Sequence, residues 1–342
     1  MKYKNFELLM LLGLFWAAII PVVGQKAKVP VPVILDTDIG PDYDDAGAMA
    51  VFHALADQGE VKPLAVISCN KHELVVPTID ILNTCFGRPN LPTGAPKGKA
   101  VNAGAGQKWP EMLVQKYPHK FTTTAAAPDA VQTYRKVLAS QPDKSVTIIT
   151  IGFLTNLADL LESSPDENSK LTGTELVRQK VKNLVSMAGA FPQGREYNVY
   201  MDTLSAAKVF EAWPTSITLS GYEIGSQVRT GLRVIANEKL QGPVKDVFTW
   251  CMARSEKDRN GRQSWDQTAV LVGIRGVAPY FGSKRGHIVV NRTDGSNTWQ
   301  DDLTGPHIYL TEAMPFVKVT EEIENLMMQP GRSAANSKGK KK

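Results

Sequence analysis

The amino-acid sequence predicts a single large α/β domain built on a doubly wound, mostly parallel sheet. The first observation is a recurring order in which a short apolar run is followed by a helical segment, as in residues 61–68 and 75–86. The second is that the run at residues 31–35 is apolar without alternation, which is typical of a parallel strand buried on both faces. The third is an acidic loop directly after that run, because open sheets of this class bind ligands at the carboxyl ends of their strands.

The acidic loop is broken by Gly40 and Pro41 before a helix of small residues starts at Ala46. Five carboxylates fall within ten positions of this loop: Asp36, Asp38, Asp42, Asp44 and Asp45. Like charges at this density oppose one another's ionisation, and a hard cation with oxygen ligands relieves the repulsion. Ca²⁺ and Mg²⁺ both accept this type of ligand.

Three other interpretations compete with a cation site. One is a solvated acidic turn, although such turns do not usually lie between a buried strand and a small-residue helix. An EF-hand needs glycine at its sixth position and glutamate at its twelfth, where this sequence has Pro41 and Gly47, so it is excluded. A phosphatase nucleophile at Asp36 or Asp38 stays open, but it leaves the three later acids unexplained.

Further strand-to-helix crossings follow along the chain. Asn70 lies at the second one, where a helix cap is the simplest role. Residues 98–109 are rich in Gly and Ala and predict a mobile loop over the site, with Trp109 either stacked on a ligand or anchoring the loop to the core. A helix is predicted over residues 127–140 and another after residue 152, with strands over residues 145–151, 181–188 and 216–219.

The C-terminal part contains another acidic position in a similar setting. Asp266 precedes an apolar helix, so its simplest role is that of a helix N-cap. Residues 256–262 are charged and predict an exposed loop before it. After Pro279 the pattern predicts a strand at residues 286–290, a hairpin turn and a terminal helix at residues 320–328.

The two ends of the chain differ in composition from the predicted domain, residues 25–330. Residues 1–24 carry early lysines, an apolar stretch and small residues, the pattern of a secretory signal peptide, with an uncleaved anchor as the alternative. We therefore expect an exported protein, periplasmic or extracellular, without stable membrane insertion after processing. Residues 331–342 end in lysines and predict a disordered basic tail. Much of the net charge of +5 lies there, without interleaved aromatics, which argues against nucleic acid as a partner.

Three separated motifs resemble those of the nucleoside hydrolases, the inosine-uridine-preferring family. Residues 36–46 resemble its N-terminal signature of Asp-x-Asp, a glycine turn and Asp-Asp-Ala, with Asp42 and Tyr43 as an inserted pair that has no assigned role. Residues 152–158 resemble its Gly-x-Leu-Thr-Asn-x-Ala segment, and Glu196-Tyr197-Asn198 resembles its Glu-Phe-Asn triplet. These motifs occur in the expected order, which argues against a chance match.

The resemblance implies calcium-dependent hydrolysis of the N-glycosidic bond of ribonucleosides to free base and ribose. It implies four ligands for Ca²⁺: Asp38, Asp45, the backbone carbonyl of Ile151 and Asp266. Asp44 is then expected to be the free carboxylate that takes the proton of the attacking water, and Asp36 to support the site from behind.

The same resemblance supplies candidate contacts to a small-molecule nucleoside. The sugar is expected to lie against four residues: Asn70, Met187, Glu196 and Asn198. Several relatives have His directly before the remote aspartate, where this sequence has Trp265. An indole cannot act as a general acid but can stack on a purine, so we expect a purine preference and a role in purine salvage. The sequence leaves a homo-oligomer open.

Two other classes of function stay open. One is a secreted, calcium-dependent sugar- or nucleoside-binding protein without catalysis, which needs Asp38, Asp45 and Asp266 but not Asp44. The other is a phosphatase, which requires Mg²⁺ and a lysine or arginine near the phosphate. The presence of Asp44 favours the hydrolase.

Overall fold

The computed structural model describes residues 29–331 of the 342-residue chain. The predicted signal peptide, residues 1–24, lies outside the described residues, and so does the predicted tail, residues 331–342, apart from its first residue, Gly331, which is buried. Between residues 29 and 331, no helix combines the length and the apolar composition that crossing a bilayer requires.

Strands and helices alternate along most of the described chain. The strands, numbered in chain order, are β1 Val31–Thr37, β2 Val61–Ser68, β3 Val146–Thr150, β4 Val181–Met187, β5 Gln193–Gly194, β6 Ser216–Ser220, β7 Arg229–Thr230, β8 Arg262–Gln263, β9 Phe281–Val290, β10 Asn297–Asp301 and β11 His307–Glu312. The α-helices are α1 Asp44–Asp57, α2 Val75–Cys85, α3 Trp109–Lys116, α4 Ala130–Ala139, α5 Thr155–Glu162, α6 Gly173–Lys180, α7 Tyr197–Met201, α8 Thr203–Ala212, α9 Tyr222–Gln227, α10 Leu232–Ala236, α11 Pro243–Met252, α12 Trp265–Arg275 and α13 Phe316–Met327.

One sheet dominates the structure, with the strand order β2-β1-β3-β4-β6-β11-β9-β10-β5, and β7 pairs with β8 separately. Six neighbouring strands of this sheet are parallel: β2, β1, β3, β4, β6 and β11. At the edge beyond β11, the strands β9, β10 and β5 add antiparallel pairs. The predicted hairpin is formed by β9 and β10. The mostly parallel sheet that the sequence predicts is therefore confirmed.

Helices cover both faces of the sheet, which confirms the doubly wound single domain. Leu35 of β1 packs in the core formed with α1, α11, α12 and α13. Its neighbour Ile34 packs in the opposite core, which includes α4, α5, α6 and α8. Both side chains are fully buried, and this explains why residues 31–35 of the strand are apolar without alternation.

The helices α1 and α12 pack closely and bring two acidic stretches together. A Cβ added at Gly47 of α1 would lie 2.4 Å from Nε2 of the buried Gln267 on α12, so a side chain there would displace the Gln267 amide. The first turns of these two helices carry Asp44, Asp45 and Asp266. The helix packing therefore determines where three of the predicted site carboxylates lie.

The structure decides between the two roles considered for Trp109. This residue begins α3, is 1% exposed, and donates a hydrogen bond from Nε1 to the Gly40 carbonyl at 3.1 Å. The indole therefore anchors the preceding loop to the core and does not face a ligand. A second local difference is that β1 extends to Thr37, which places Asp36 in the sheet and not in the acidic loop.

Replacing Arg135 by Met is expected to lower the free energy of unfolding by about 3 kcal/mol or more. Arg135 is fully buried on α4, and its Nη2 donates to Oδ1 of Asp166 at 3.1 Å. The same group also donates to the carbonyls of Ser169 and Leu171. Removing the guanidinium leaves a half-buried carboxylate without its positive partner. Urea denaturation measures the change against the exposed Lys136→Met, and equal losses in both variants would contradict this role.

Candidate active site

The carboxyl ends of β1, β3 and β4 and the first turns of α1, α7 and α12 enclose a cavity of about 270 Å³. Nine of the residues predicted for the site line it: Asp38, Asp44, Asp45, Ile151, Met187, Glu196, Asn198, Trp265 and Asp266. The remaining lining residues are Pro41, Asp42, Arg195, Tyr197, Tyr200 and Tyr222. Asp36 and Asn70, both within the described chain, are not part of this lining.

Four buried carboxylates meet at this cavity, and each is at most 6% exposed: Asp38, Asp44, Asp45 and Asp266. Burial raises the pKa of each one. The charges of neighbouring aspartates raise the pKa of Asp38, Asp45 and Asp266 further. The four groups therefore need a compensating positive charge to be ionised together.

Hydrogen bonds distinguish the members of this cluster. The Thr37 hydroxyl donates to Oδ1 of Asp45 at 2.6 Å. The carboxylates of Asp38 and Asp266 accept no hydrogen bond from any other residue in the described part of the chain. Their oxygens are consequently the ones most available to a ligand.

Asp44 is not the free carboxylate that the sequence predicted. Its Oδ1 accepts a hydrogen bond from Nη2 of Arg262 at 2.8 Å. Its Oδ2 accepts from the backbone N–H groups of Trp265 at 3.2 Å and Asp266 at 3.4 Å, the first two residues of α12. The residue before this helix, Ser264, makes no side-chain cap, so Asp44 caps α12 from a different helix. With both oxygens engaged, Asp44 is poorly available to a proton from water.

The backbone near Ile151 comes close to Asp38. A Cβ added at Gly152 would lie 2.7 Å from the backbone nitrogen and from Oδ1 of Asp38, so no side chain fits between them. Nδ2 of Asn198 donates to the Met187 carbonyl at 3.1 Å and to the Ile151 carbonyl at 3.5 Å. Asp38, Asn198 and the Ile151 carbonyl therefore lie together in one part of the cavity.

Glu196 is held rigidly at the start of α7. Its carboxylate accepts hydrogen bonds from three backbone N–H groups, those of Asn198 at 2.8 Å, Gly189 at 3.1 Å and Val199 at 3.2 Å. Burial raises the pKa of Glu196 to about 7, although these three bonds oppose the rise. The side chain thus has one orientation and an ionisation that falls near neutral pH.

Asn70 has its side-chain amide engaged in hydrogen bonds within the protein. It is fully buried, and its Nδ2 donates to the carbonyls of Asp38 at 2.9 Å and Ala103 at 2.7 Å. Its Oδ1 accepts from the Ala103 N–H at 3.0 Å. Asn70 therefore ties the loop before α3 to the acidic loop, and its contact with a sugar stays a prediction.

Asp36 lies in β1, behind the cavity. Its Oδ2 accepts hydrogen bonds from the Tyr134 hydroxyl at 2.7 Å and from Nδ2 of Asn156 at 3.0 Å. Burial raises the pKa of Asp36 to about 6, while these hydrogen bonds lower it. These contacts attach the strand before the acidic loop to α4 and α5.

Aromatic side chains form another part of the cavity wall. Trp265 stacks on Tyr222 with 5.4 Å between ring centroids, and its Nε1 donates to the Tyr222 carbonyl at 2.9 Å. Tyr197 and Tyr200 contact each other edge to face with their centroids 5.5 Å apart. Rings held in this way suit a flat ligand surface.

Arg262 is the main functional candidate that the sequence did not reveal. It falls in the segment predicted to be an exposed loop, yet it is 8% exposed and bonded to Asp44. The two residues are 218 positions apart, so no local pattern could connect them.

The donor chemistry of the cavity suits a hard cation, because carboxylates and carbonyls are the ligands that Ca²⁺ takes. Among residues 29–331, no group of three or more acidic, histidine or cysteine side chains is arranged so that it could hold a metal ion without rearrangement. The fit therefore rests on the buried carboxylates, whose shared ionisation is costly until positive charge is bound.

Comparison with known proteins identifies the class that this fold and cavity represent. The profile of the family described as inosine-uridine preferring nucleoside hydrolase matches residues 33–325. The inosine-uridine preferring nucleoside hydrolase of Leishmania major is 26% identical over 232 residues, which cover 65% of this chain and 68% of that protein. The pyrimidine-specific ribonucleoside hydrolase RihA of Shewanella sp. (strain ANA-3) is 27% identical over 230 residues, covering 60% and 65%. A solved plant nucleoside hydrolase shares the fold with a TM-score of 0.66 at 20% identity, over 88% of this chain and all of that one.

The fold and cavity define an α/β protein with its ligand site at the carboxyl ends of a parallel sheet. The chain belongs to the inosine-uridine preferring nucleoside hydrolase family, a family of metal-dependent N-ribosyl hydrolases. It spans about two thirds of the length of the two curated relatives. Those relatives are named for different bases. Membership of the family therefore indicates the class of reaction but not which base is preferred.

The raised pKa of Glu196 predicts a pH-dependent contribution to stability. The pKa of Glu196 is about 7 in the folded state and 4.5 ordinarily, so the protonated side chain favours the folded state. This stabilisation is fully present below pH 4.5 and is lost as the pH rises through 7. The loss amounts to roughly 3 kcal/mol. Urea denaturation between pH 4 and 8 should show a flatter profile for Glu196→Gln than for the wild type. The exposed Glu238→Gln serves as the control, and a Glu196→Gln profile parallel to the wild type would contradict the assignment.

Proposed function

We propose that the protein hydrolyses the N-glycosidic bond of ribonucleosides in a calcium-dependent reaction, with a preference for purines, and releases free base and ribose. The observation that carries this proposal is one cavity shared by the carboxylate cluster, by Glu196 and Asn198, and by Trp265. These parts match the needs of the reaction: charge to activate water, polar groups to hold a sugar, and a ring to face a base.

Three carboxylates and one carbonyl are the groups that would hold the cation: Asp38, Asp45, Asp266 and the carbonyl of Ile151. All four residues line the cavity, and Thr37 keeps Asp45 in place. When bound, Ca²⁺ supplies positive charge that lowers the pKa of water in the site and helps to orient it. It also relieves the repulsion among the aspartates.

We propose that Asp38, instead of Asp44, accepts the proton of the attacking water. Asp38 lines the cavity, and its carboxylate is free of hydrogen bonds from other described residues. Burial, and then the charges of Asp45 and Asp42, raise the pKa of Asp38 while no cation is bound. A carboxylate has two oxygens, so Asp38 would offer one to the cation and accept the proton with the other. Asp44 is held by Arg262 and by α12, so its role is to orient the start of that helix.

Glu196 and Asn198 would hold the ribose, with Met187 beside them. Each side chain is fixed before substrate arrives, Glu196 by backbone N–H groups and Asn198 by the Met187 carbonyl. Breaking the glycosidic bond develops positive charge on the sugar, as in glycoside hydrolysis generally. The acidic groups around the cavity favour that charge, because they are in place before it forms.

The proposed purine preference rests on Trp265. Its ring is fixed by the stack on Tyr222 and by the bond from Nε1, so it offers a planar wall of constant position. Stacking on such a wall favours the larger ring system of a purine. The two curated relatives do not decide the matter, since one is named for inosine and uridine and the other for pyrimidines.

We further propose that residues 1–24 direct export and are removed, so that the enzyme acts in the periplasm or outside the cell. The early lysines and the apolar stretch of this segment support the proposal. A nucleoside from the surroundings would then be its small-molecule substrate, consistent with purine salvage.

The overall proposal is tested by incubating the full chain with inosine, adenosine, uridine and a phosphate ester, with Ca²⁺ and with a chelator. We expect free base from the nucleosides only when the cation is present. Binding of nucleoside without release of base would instead indicate a calcium-dependent binding protein. Release of phosphate alone would indicate a phosphatase.

Three substitutions separate the roles of the aspartates. Asp38→Asn is expected to lower kcat by roughly 10²–10⁴-fold at calcium concentrations that saturate the variant, the range typical of a lost general base. Asp44→Asn should lower kcat by a smaller factor, because the amide oxygen of Asn can still accept hydrogen bonds from the N–H groups of α12. Asp266→Ala should weaken calcium binding in calorimetry together with turnover. A larger loss of kcat in Asp44→Asn than in Asp38→Asn would return the proton-accepting role to Asp44.

Trp265→Leu is expected to lower kcat/KM for inosine about tenfold more than for uridine, because stacking on a base contributes on the order of 1–3 kcal/mol. The ratio of kcat/KM for the two nucleosides is the measurement. Comparing two substrates on one variant removes effects on folding and on the cation. An unchanged ratio would show that Trp265 does not set the base preference.

A further inference from the structure

The inserted pair Asp42 and Tyr43, which the sequence left without a role, lies against Arg262. Nη2 of Arg262 is 2.9 Å from Oδ2 of Asp42 and 2.8 Å from Oδ1 of Asp44. The side chain of Arg262 is 10% exposed, whereas that of Asp42 is 58% exposed at the cavity edge. One buried guanidinium group thus joins an outer and an inner carboxylate.

Two aromatic rings hold the same guanidinium group. Its central carbon lies 4.9 Å from the ring centroid of Tyr43 and 5.2 Å from that of Trp265. The Tyr43 hydroxyl donates to Oδ2 of Asp258 at 2.8 Å, and the Tyr43 ring meets Phe248 edge to face at 5.2 Å. The inserted residues therefore attach the start of α1 to the segment that precedes α12.

This contact determines how Asp44 is used. Arg262 occupies Oδ1 of Asp44, and Oδ2 faces the N–H groups of Trp265 and Asp266. The orientation of Asp44 and the start of α12 are therefore linked through Arg262. That turn carries both the proposed cation ligand Asp266 and the proposed base-stacking ring of Trp265.

We propose that Arg262 is a positioning residue for the carboxylate cluster and for Trp265, and that Asp42 and Tyr43 hold Arg262 in place. This inference rests on the proposed function. It makes a prediction of definite sign, because a nearby positive charge by itself repels a cation and weakens its binding. If Arg262 positions the ligands, its removal weakens calcium binding in spite of the lost repulsion.

The test compares four variants of the full chain by calorimetric titration with Ca²⁺ and by kcat and KM for inosine. Arg262→Gln is expected to weaken calcium binding about tenfold, in line with the loss of a charged hydrogen bond. Arg262→Lys should recover part of that loss, because an ammonium group keeps the charge but not the planar geometry. Tyr43→Phe, which changes no charge, should weaken binding by a few fold through the lost bond to Asp258. Arg259→Gln is the matched control, since the Arg259 side chain is 73% exposed and forms a local ion pair with Glu256.

Calcium binding by Arg262→Gln that equals or exceeds the wild type would overturn the inference. So would a variant that is less stable to heat but keeps its calcium affinity, kcat and KM, because that result indicates a purely structural role. Should Arg262→Gln fail to fold, Tyr43→Phe decides in the same way. If the wild type binds Ca²⁺ but releases no base, the proposed reaction is wrong. The calcium affinities of the Arg262 variants then still test the positioning role of Arg262. A wild type that binds no Ca²⁺ overturns both proposals.

Discussion

The mutual repulsion of Asp38, Asp44, Asp45 and Asp266, four carboxylates buried at one cavity, is the interaction on which the rest of the site depends. Each loses solvation on burial and each opposes the ionisation of the others. The structure compensates them unequally. Asp44 receives a guanidinium and the N-terminal end of α12, Asp45 receives a hydroxyl, and Asp38 and Asp266 receive no hydrogen bond from other described residues. The charge left uncompensated is what gives the cavity its capacity for a cation.

The fold supplies this arrangement through a few close approaches. Glycine at position 47 leaves room for the Gln267 side chain between α1 and α12, and glycine at position 152 lets the backbone after β3 approach Asp38. Parallel strands then deliver their carboxyl ends to the same edge of the sheet. Charges that repel one another are thus held in place by the packing of apolar helices, whose burial offsets the electrostatic cost.

The polar side chains at the cavity differ in how they are held by the rest of the structure. Asp44 is a structural cap as well as a member of the cluster, and this is why we propose that a less occupied carboxylate accepts the proton of water. Glu196 and Asn198 are fixed by backbone groups before any ligand binds, and Trp265 is fixed by Tyr222. Such preorganisation limits the entropy lost when a sugar and a base enter the cavity.

Local sequence patterns determined the strand-and-helix order, the buried character of β1 and the acidic motif at its end, because these depend on neighbours along the chain. The resemblance of three motifs to the nucleoside hydrolases singled out most of the nine predicted residues that line the cavity. Only the tertiary structure decided that Asp44 is engaged by Arg262, that Asn70 holds a loop, and that Trp109 is buried in the core. These outcomes depend on partners 218, 33 and 69 positions away in the chain. A side chain's availability for chemistry is set by such distant partners, whereas its place at the end of a strand is set by its neighbours.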